Sequence, residues 1–280
     1  VNNSALSNYS TRSFNFDGVD DRIDVGAVSF LPSATNLTVS TWLKTSDVTD
    51  NQVVFGDNSA TPIFSFEYWG SNNRMYFEYG SGLYCYLTLN SVVSNDVWHN
   101  LALVYDGSGA TNTDKIKIYI NGVDKSSSLT FVGTVPTALN ASIGNLWLGN
   151  GQNYNSPFLG NIDEFAIWNS SLTQENITSI YGGGTPSSIS SLSPISHWRM
   201  GEDATFSTNW SLPDNGSASN TGTSANMTIA DLEGDAPNYT GGGLSNNMTI
   251  EDRVGDAPNS TSNALSYNMT ESDRETNVPS

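Results

Sequence analysis

The chain is 280 residues long, 37% hydrophobic and 11% aromatic with seven Trp, enough to fill the core of one large β domain or two ordinary ones. Ten Lys and Arg stand against 28 Asp and Glu, a net charge of −18, which excludes a nucleic-acid partner because nothing could neutralise a run of phosphates, and argues equally against an anionic membrane surface. The single cysteine, Cys85, rules out an internal disulfide framework, and no stretch approaches the ~20 apolar residues of a membrane span.

The opening Val1-Asn2-Asn3-Ser4 shows neither an initiator Met nor a basic-then-apolar leader, so the expectation is a processed or excised piece of a longer chain. Strand signals follow. Leu37-Thr38-Val39-Ser40-Thr41-Trp42-Leu43, Ile63-Phe64-Ser65-Phe66-Glu67-Tyr68 and Met75-Tyr76-Phe77-Glu78-Tyr79 alternate in the manner of half-buried strands. Ile116-Lys117-Ile118-Tyr119-Ile120 runs into Asn121-Gly122, a type I′ hairpin turn. Short strands punctuated by Gly, Asn and Asp predict an antiparallel β-sandwich or barrel. One short helix is predicted over Ser171–Tyr181, with Thr173 as N-cap, Gly182 as C-cap, and Leu172, Ile177, Ile180 and Tyr181 on one face.

Gly182-Gly183-Gly184-Thr185-Pro186-Ser187-Ser188 reads as a domain boundary, giving a domain over 1–185 and an Asn/Ser/Thr/Gly-rich tail over 186–280. The tail has three Arg and no Lys against 12 acidic residues. It carries a strand-like segment at 195–203 and, from about 225, a repeat: Asn226-Met227-Thr228, Asn247-Met248-Thr249 and Asn268-Met269-Thr270 recur every 21 residues, and Gly234-Asp235-Ala236-Pro237 returns as Gly255-Asp256-Ala257-Pro258. Each unit is too poor in large apolar residues to bury a face alone. The expectation is an irregular tail that lies on the main domain, on a neighbouring chain, or on nothing.

Several segments, in order, resemble the laminin-G-like branch of the concanavalin A-like lectin/glucanase jelly rolls: Phe14-Asn15-Phe16-Asp17-Gly18-Val19-Asp20-Asp21, the strand at Leu37–Leu43, Trp98-His99-Asn100-Leu101-Ala102-Leu103-Val104-Tyr105-Asp106, Leu146-Trp147-Leu148-Gly149, Gly160-Asn161-Ile162-Asp163-Glu164-Phe165-Ala166-Ile167-Trp168 and the helix with Leu172 and Ile177. The resemblance covers residues 13–181 and implies an all-β jelly-roll sandwich closed by one short helix. His197-Trp198-Arg199-Met200-Gly201-Glu202 also looks like a motif of such proteins, but one that precedes the Phe-Asp-Gly strand in them. Here it follows the helix. The chain is then either cut from a tandem array, or its tail adds a strand to an exposed sheet edge, its own or a neighbour's.

The glucanase relatives use two Glu on one strand, in an E-x-D-x-x-E or E-x-D-x-E pattern, to bring carboxyls ~5–5.5 Å apart. No such triplet occurs; Glu67 and Glu78 stand alone, and strand alternation puts Asp163 and Glu164 on opposite faces. His99, His197 and Cys85 sit in strand patterns and read as packing residues. The chain is expected not to be an enzyme. The resemblance implies a structural Ca2+ at Asp17, Asp20 and Asp163, with carbonyls of Gly18 and Asn161; the competing reading is that the two early Asp make Asx turns. Glycan recognition needs exposed rings flanked by amides and carboxylates, and loop-like stretches offer Trp69, Asn72, Tyr79, Tyr84, Asn153 and Tyr154. Trp42, Trp98 and Trp168 are expected in the core.

High acidity, scarce Lys and this fold together suggest a non-catalytic extracellular binding and assembly module. The favoured reading is a bacteriophage virion surface protein (capsid decoration, fibre or tail adhesin) that binds host-surface glycans or polysaccharide, sits among other virion or surface-layer subunits, and forms a homo-oligomer through its tail. The alternatives are a secreted bacterial adhesin or filament subunit, and an accessory carbohydrate-binding domain of a glycoside hydrolase.

Overall fold

The structure is a computed structural model, and it describes residues 10–59, 63–89, 93–151 and 156–239. In chain order the strands are β1 (Ser13–Asp17), β2 (Arg22–Asp24), β3 (Asn36–Thr45), β4 (Asn51–Asp57), β5 (Ser65–Trp69), β6 (Arg74–Gly80), β7 (Leu83–Thr88) and β8 (His99–Asp106). A four-residue helix α1 (Asn112–Lys115) leads to β9 (Ile116–Ile120), β10 (Val123–Asp124), β11 (Thr130–Val132), β12 (Leu146–Leu148) and β13 (Leu159–Trp168). After α2 (Gln174–Tyr181) come β14 (Ser196–Trp198), β15 (Thr205–Phe206), β16 (Trp210–Leu212), β17 (Gly222–Ala225) and β18 (Leu232–Glu233). All pairings are antiparallel, so the described fold is an all-β sandwich with two short helices rather than the one predicted. The extra helix, α1, is a single capped turn: Thr111 accepts the Asp114 amide and Asp114 accepts the Thr111 amide.

One sheet runs β10-β9-β8-β3-β13-β1-β18, with β14 also on β13; the other runs β11-β7-β6-β5-β4-β12-β2-β17-β16-β15. Between them lies a core in which Phe14, Phe16, Phe55, Phe64, Phe66, Phe77 and Leu148 are at most 1% exposed. The Asn121-Gly122 turn joins β9 to β10 with both residues at positive φ, 52° and 73°, the geometry a type I′ hairpin requires. Thr173 and Gly182 cap α2 as their positions predict, and Ile177 and Ile180 bury its inner face against Ala102, Ala166 and Trp168 on the outside of the first sheet.

The tail departs from the expected irregular form over its described part. Residues 186–239 belong to the same compact body as the sandwich. β14 docks on β13 beside the end of β1, β17 docks on β2 and carries β16 and β15 with it, and β18 docks on the outer edge of β1. Open edge amides and carbonyls of this chain's own sheets are what these strands satisfy. Trp198, Trp210 and Met227, each at most 4% exposed, anchor them in the main core. The first repeat unit is therefore packed over its described part, up to Tyr239. The second and third, from 247 on, lie outside the described residues.

β13 holds the main irregularity. Ile162 and Phe165 both reach the core although three positions apart, which strict alternation forbids. A bulge between Asp163 and Ala166 supplies the missing step, with Glu164 in the left-handed region at φ 49°.

Candidate functional site

Strand alternation on β5, β6 and β7 sorts their aromatics into two sets. Phe66, Tyr68, Met75, Phe77, Tyr79, Cys85 and Leu87 point into the core, and Glu67, Trp69, Arg74, Tyr76, Glu78, Tyr84 and Tyr86 occupy the outer face. Register then aligns the outer set: Glu67 lies opposite Tyr76, Tyr76 opposite Tyr86, and Glu78 opposite Tyr84. Tyr76 is the hub. Its ring centroid is 5.0 Å from Trp69, 5.3 Å from Tyr84 and 5.4 Å from Tyr86. All four rings are half-buried, which leaves part of each to solvent.

Polar groups hold this row in place. Trp69 donates its indole N–H to Glu67 Oε2 at 2.6 Å, and Ser65 donates to the other oxygen at 2.5 Å, so a 4%-exposed carboxylate fixes the indole. Arg74 lies 4.0 Å over the Tyr86 ring and donates to the Tyr76 hydroxyl at 3.1 Å. Asn72 stands exposed in the turn after Trp69. Past the Trp69 end, Ser71 donates to Asn51, the residue opposite Trp69, at 3.2 Å. Both line an open polar cleft of about 460 Å3 with Asp17, Asp50, Gln52 and Ser156.

Of the six residues expected to meet a glycan, Trp69, Asn72 and Tyr84 fall on or beside this row. Tyr79 does not. Its position in Met75-x-Phe77-x-Tyr79 turns it inward, where it is 1% exposed and its hydroxyl donates to the Tyr84 carbonyl at 3.0 Å. Asn153 and Tyr154 lie outside the described residues. Sequence reasoning passed over Tyr76, Tyr86 and Glu67 as parts of a glycan face, although the i, i+2 spacing of Tyr84 and Tyr86 already placed those two rings on one face.

The acidic residues divide into two clusters. Asp17, Asp20 and Asp21 bring carboxylate oxygens within 4.8 Å of one another at the β1–β2 turn. Asp17 accepts the Val19 amide at 2.8 Å, the Asx turn that was the competing reading, and Asp21 accepts the Asp17 amide at 3.0 Å. Burial pushes the Asp21 carboxyl up to about 6, against the pull of the Asp17 amide and with further push from Asp17, Asp231 and Asp20. Asp163 is not in this cluster, which corrects the expected three-residue set: β1 and β13 pair with Asp17 opposite Leu159, four positions before Asp163. Asp163 instead meets Glu164 and Glu202. The bulge also overturns the expected separation of Asp163 and Glu164 onto opposite faces, because it brings both carboxylates to one side. Asp163 is fully buried and held well above its ordinary value by burial and by the neighbouring Glu164 and Glu202 charges. Each of these two clusters has the donor set a hard cation takes.

His99 and Cys85 are packing residues. The Nε2 of His99 accepts the Ser94 amide at 3.2 Å, and burial pulls its pKa down to about 4. Burial raises the Cys85 thiol, so it has no thiolate reactivity near neutral pH.

Comparison with known proteins agrees with the fold that carries these residues. The family model of the concanavalin A-like lectin/glucanases superfamily, laminin G type, matches residues 17–178. Among solved structures, a candidate carbohydrate-binding protein from Bacteroides ovatus is 16% identical with a TM-score of 0.61, over 82% of this chain and 62% of that one. This chain thus spans about 62% of that relative's length. A heptameric pentraxin from Limulus polyphemus is 15% identical with a TM-score of 0.44, over 61% and 82% of the two chains. Domain 4 of an extracellular arabinanase from Geobacillus stearothermophilus, solved with arabinotriose, is 24% identical with a TM-score of 0.39, over 53% and 68%. No curated protein sequence matches.

Proposed function

The chain belongs to the concanavalin A-like lectin/glucanases superfamily, and on that premise we propose that it is a non-catalytic, extracellular carbohydrate-binding module whose binding face is the aromatic row on β5–β7. The observation that carries this reading is the Trp69–Tyr76–Tyr84/Tyr86 arrangement. Adjoining half-exposed rings, locked by Glu67 and Arg74 and flanked by the amide of Asn72, offer an apolar surface for successive sugar rings with hydrogen-bonding groups at its edge. The polar cleft beyond Trp69 gives a chain of sugars somewhere to continue.

The carboxylates do not favour hydrolysis. Glu67 is committed to Trp69 and Ser65, and Asp163 is sealed from solvent. The narrower assignment, a bacteriophage virion surface protein that reads host-surface polysaccharide, draws its support from the −18 charge, which keeps a dense array of copies apart and soluble. Glycan-array binding by the full chain, repeated with Trp69→Ala and Tyr76→Ala, tests the central claim. Binding lost in both variants with thermal stability retained supports it, and binding that survives both moves the site elsewhere.

A further inference from the structure

The other sheet carries a second cavity of about 330 Å3, between the start of β14, the segment 187–194 and the turn at 215–217. Its floor is Glu164, His197 and Arg199. Glu164 Oε2 takes the His197 Nε2–H at 2.5 Å, and Oε1 takes the Arg199 Nε–H at 3.3 Å. Its rim presents the exposed Ser190, Asn215 and Ser217, with buried Ile189 and Pro194 between rim and floor.

This floor is an ion cluster, not an apolar one. A buried ion cluster loses solvation that an apolar trio of similar volume would not lose. The β13 bulge, with Glu164 at φ 49°, places the Glu164 side chain at the base of the cavity. A concave site with a small apolar patch and a few fixed polar groups is the usual form of a small-ligand pocket.

The chemistry of the cavity selects its occupant. Glu164 takes N–H groups from both His197 and Arg199, so the charges of the floor are paired with one another and no cation is left over to hold an acidic ligand. Above the floor, the Ser hydroxyls and the Asn215 amide both donate and accept. Alternating donors and acceptors around a small apolar patch match the hydroxyls and C–H face of one sugar ring. We propose that this cavity is a second ligand site, separate from the aromatic row, that takes a single uncharged polyhydroxy ring. A module with sites on both sheets can grip two points of one polysaccharide or bridge two chains, which raises avidity without new contacts.

The test uses the full chain with 15N-labelled histidine, since His197 and His99 are its two histidines and the second serves as an internal control. Methyl β-D-glucopyranoside, methyl β-D-galactopyranoside and methyl α-D-mannopyranoside are titrated to about 50 mM, the range in which millimolar sites fill. At least one shifts the His197 ring signals and leaves those of His99 in place. Ser190→Trp, placed at the rim and not in the ion cluster, weakens that response at least about tenfold. Trp69→Ala leaves it intact whatever it does on the array, so the two sites fail independently. The proposal is overturned if none of the three sugars moves His197, if methyl glucuronide moves it more than they do, or if Trp69→Ala abolishes the shift.

Discussion

Trp98 donates its indole N–H to Asp235 Oδ1 at 3.2 Å, across 137 positions of sequence, and Lys44 pairs with the other oxygen of the same carboxylate. Asp235 lies in the first copy of the 21-residue repeat. It is the point at which that copy, leaving β18, is tied to the outer face of the first sheet. Asp235→Ala removes both bonds and strands a Lys44 ammonium that is 14% exposed in its side chain, so it should destabilise the chain by about 1–2 kcal/mol. Thermal unfolding in low and high salt checks this. The loss should shrink in high salt if the ion pair dominates and persist if the indole bond does.

The sandwich was legible because its strands are periodic and its turns carry specific residues. Asn121-Gly122 and Thr173 to Gly182 landed where their chemistry requires. The bulge at Glu164 was not legible, since an αL residue other than glycine leaves no mark on periodicity, and it reversed the reading of Asp163 and Glu164. Tyr79 was misplaced for a different reason. Its neighbour Gly80 looked like a loop, but three core residues spaced by two already set its direction. The docking of the tail on its own sheet edges was among the open readings, but the strands in its described part were not individually legible, because they are two to four residues long, too short for alternation to show. Their burial comes from isolated anchors such as Trp198, Trp210 and Met227.

Gly149 tests the family-like Leu146-Trp147-Leu148-Gly149 segment. It has φ 78°, and a Cβ there would lie 2.1 Å from the Phe16 ring, a fully buried core residue. Gly149→Ala therefore meets both backbone strain and overpacking, and should cost about 3 kcal/mol or more. Chemical denaturation measures it. A change below about 1 kcal/mol would mean that β12 and β1 do not approach as described.

Glu67 acts on the proposed glycan face through Trp69. Glu67→Gln keeps an acceptor for the indole N–H and should bind glycan within about twofold of the unaltered chain, whereas Glu67→Leu frees the indole and should weaken binding about tenfold. The same array hit, titrated by calorimetry, distinguishes these. Equal loss in both variants would assign Glu67 a direct sugar contact instead.

His99 gives the fold an acid-sensitive point. Its folded pKa of about 4 lies below the ordinary 6.5, so the unfolded chain takes up the proton first. Its contribution is complete above pH 6.5 and is lost as pH falls towards 4, up to about 3 kcal/mol. The geometry agrees, because protonated Nε2 can no longer accept the Ser94 amide. His99→Asn should flatten the difference in melting temperature between pH 6.5 and pH 4 relative to the unaltered chain, and an unchanged difference would assign the acid sensitivity to other groups.

Calcium separates the two acidic clusters. Burial holds the Asp21 proton up to about pH 6, so without a cation this residue destabilises the fold progressively as pH rises from its unfolded value near 4 through 6. A cation bound by Asp17, Asp20 and Asp21 reverses that preference and releases the proton, so added Ca2+ should raise the melting temperature more at pH 7 than at pH 5. Asp20→Asn should abolish the rise. Asp21→Asn should stabilise the chelated protein at pH 7, since it keeps an acceptor for the Asp17 amide and loses the buried charge. If Asp20→Asn leaves the Ca2+ effect whole and Glu202→Gln removes it, the ion belongs to the cluster around Asp163. If Ca2+ changes nothing at either pH, the Asp17 turn is held by its own backbone bonds.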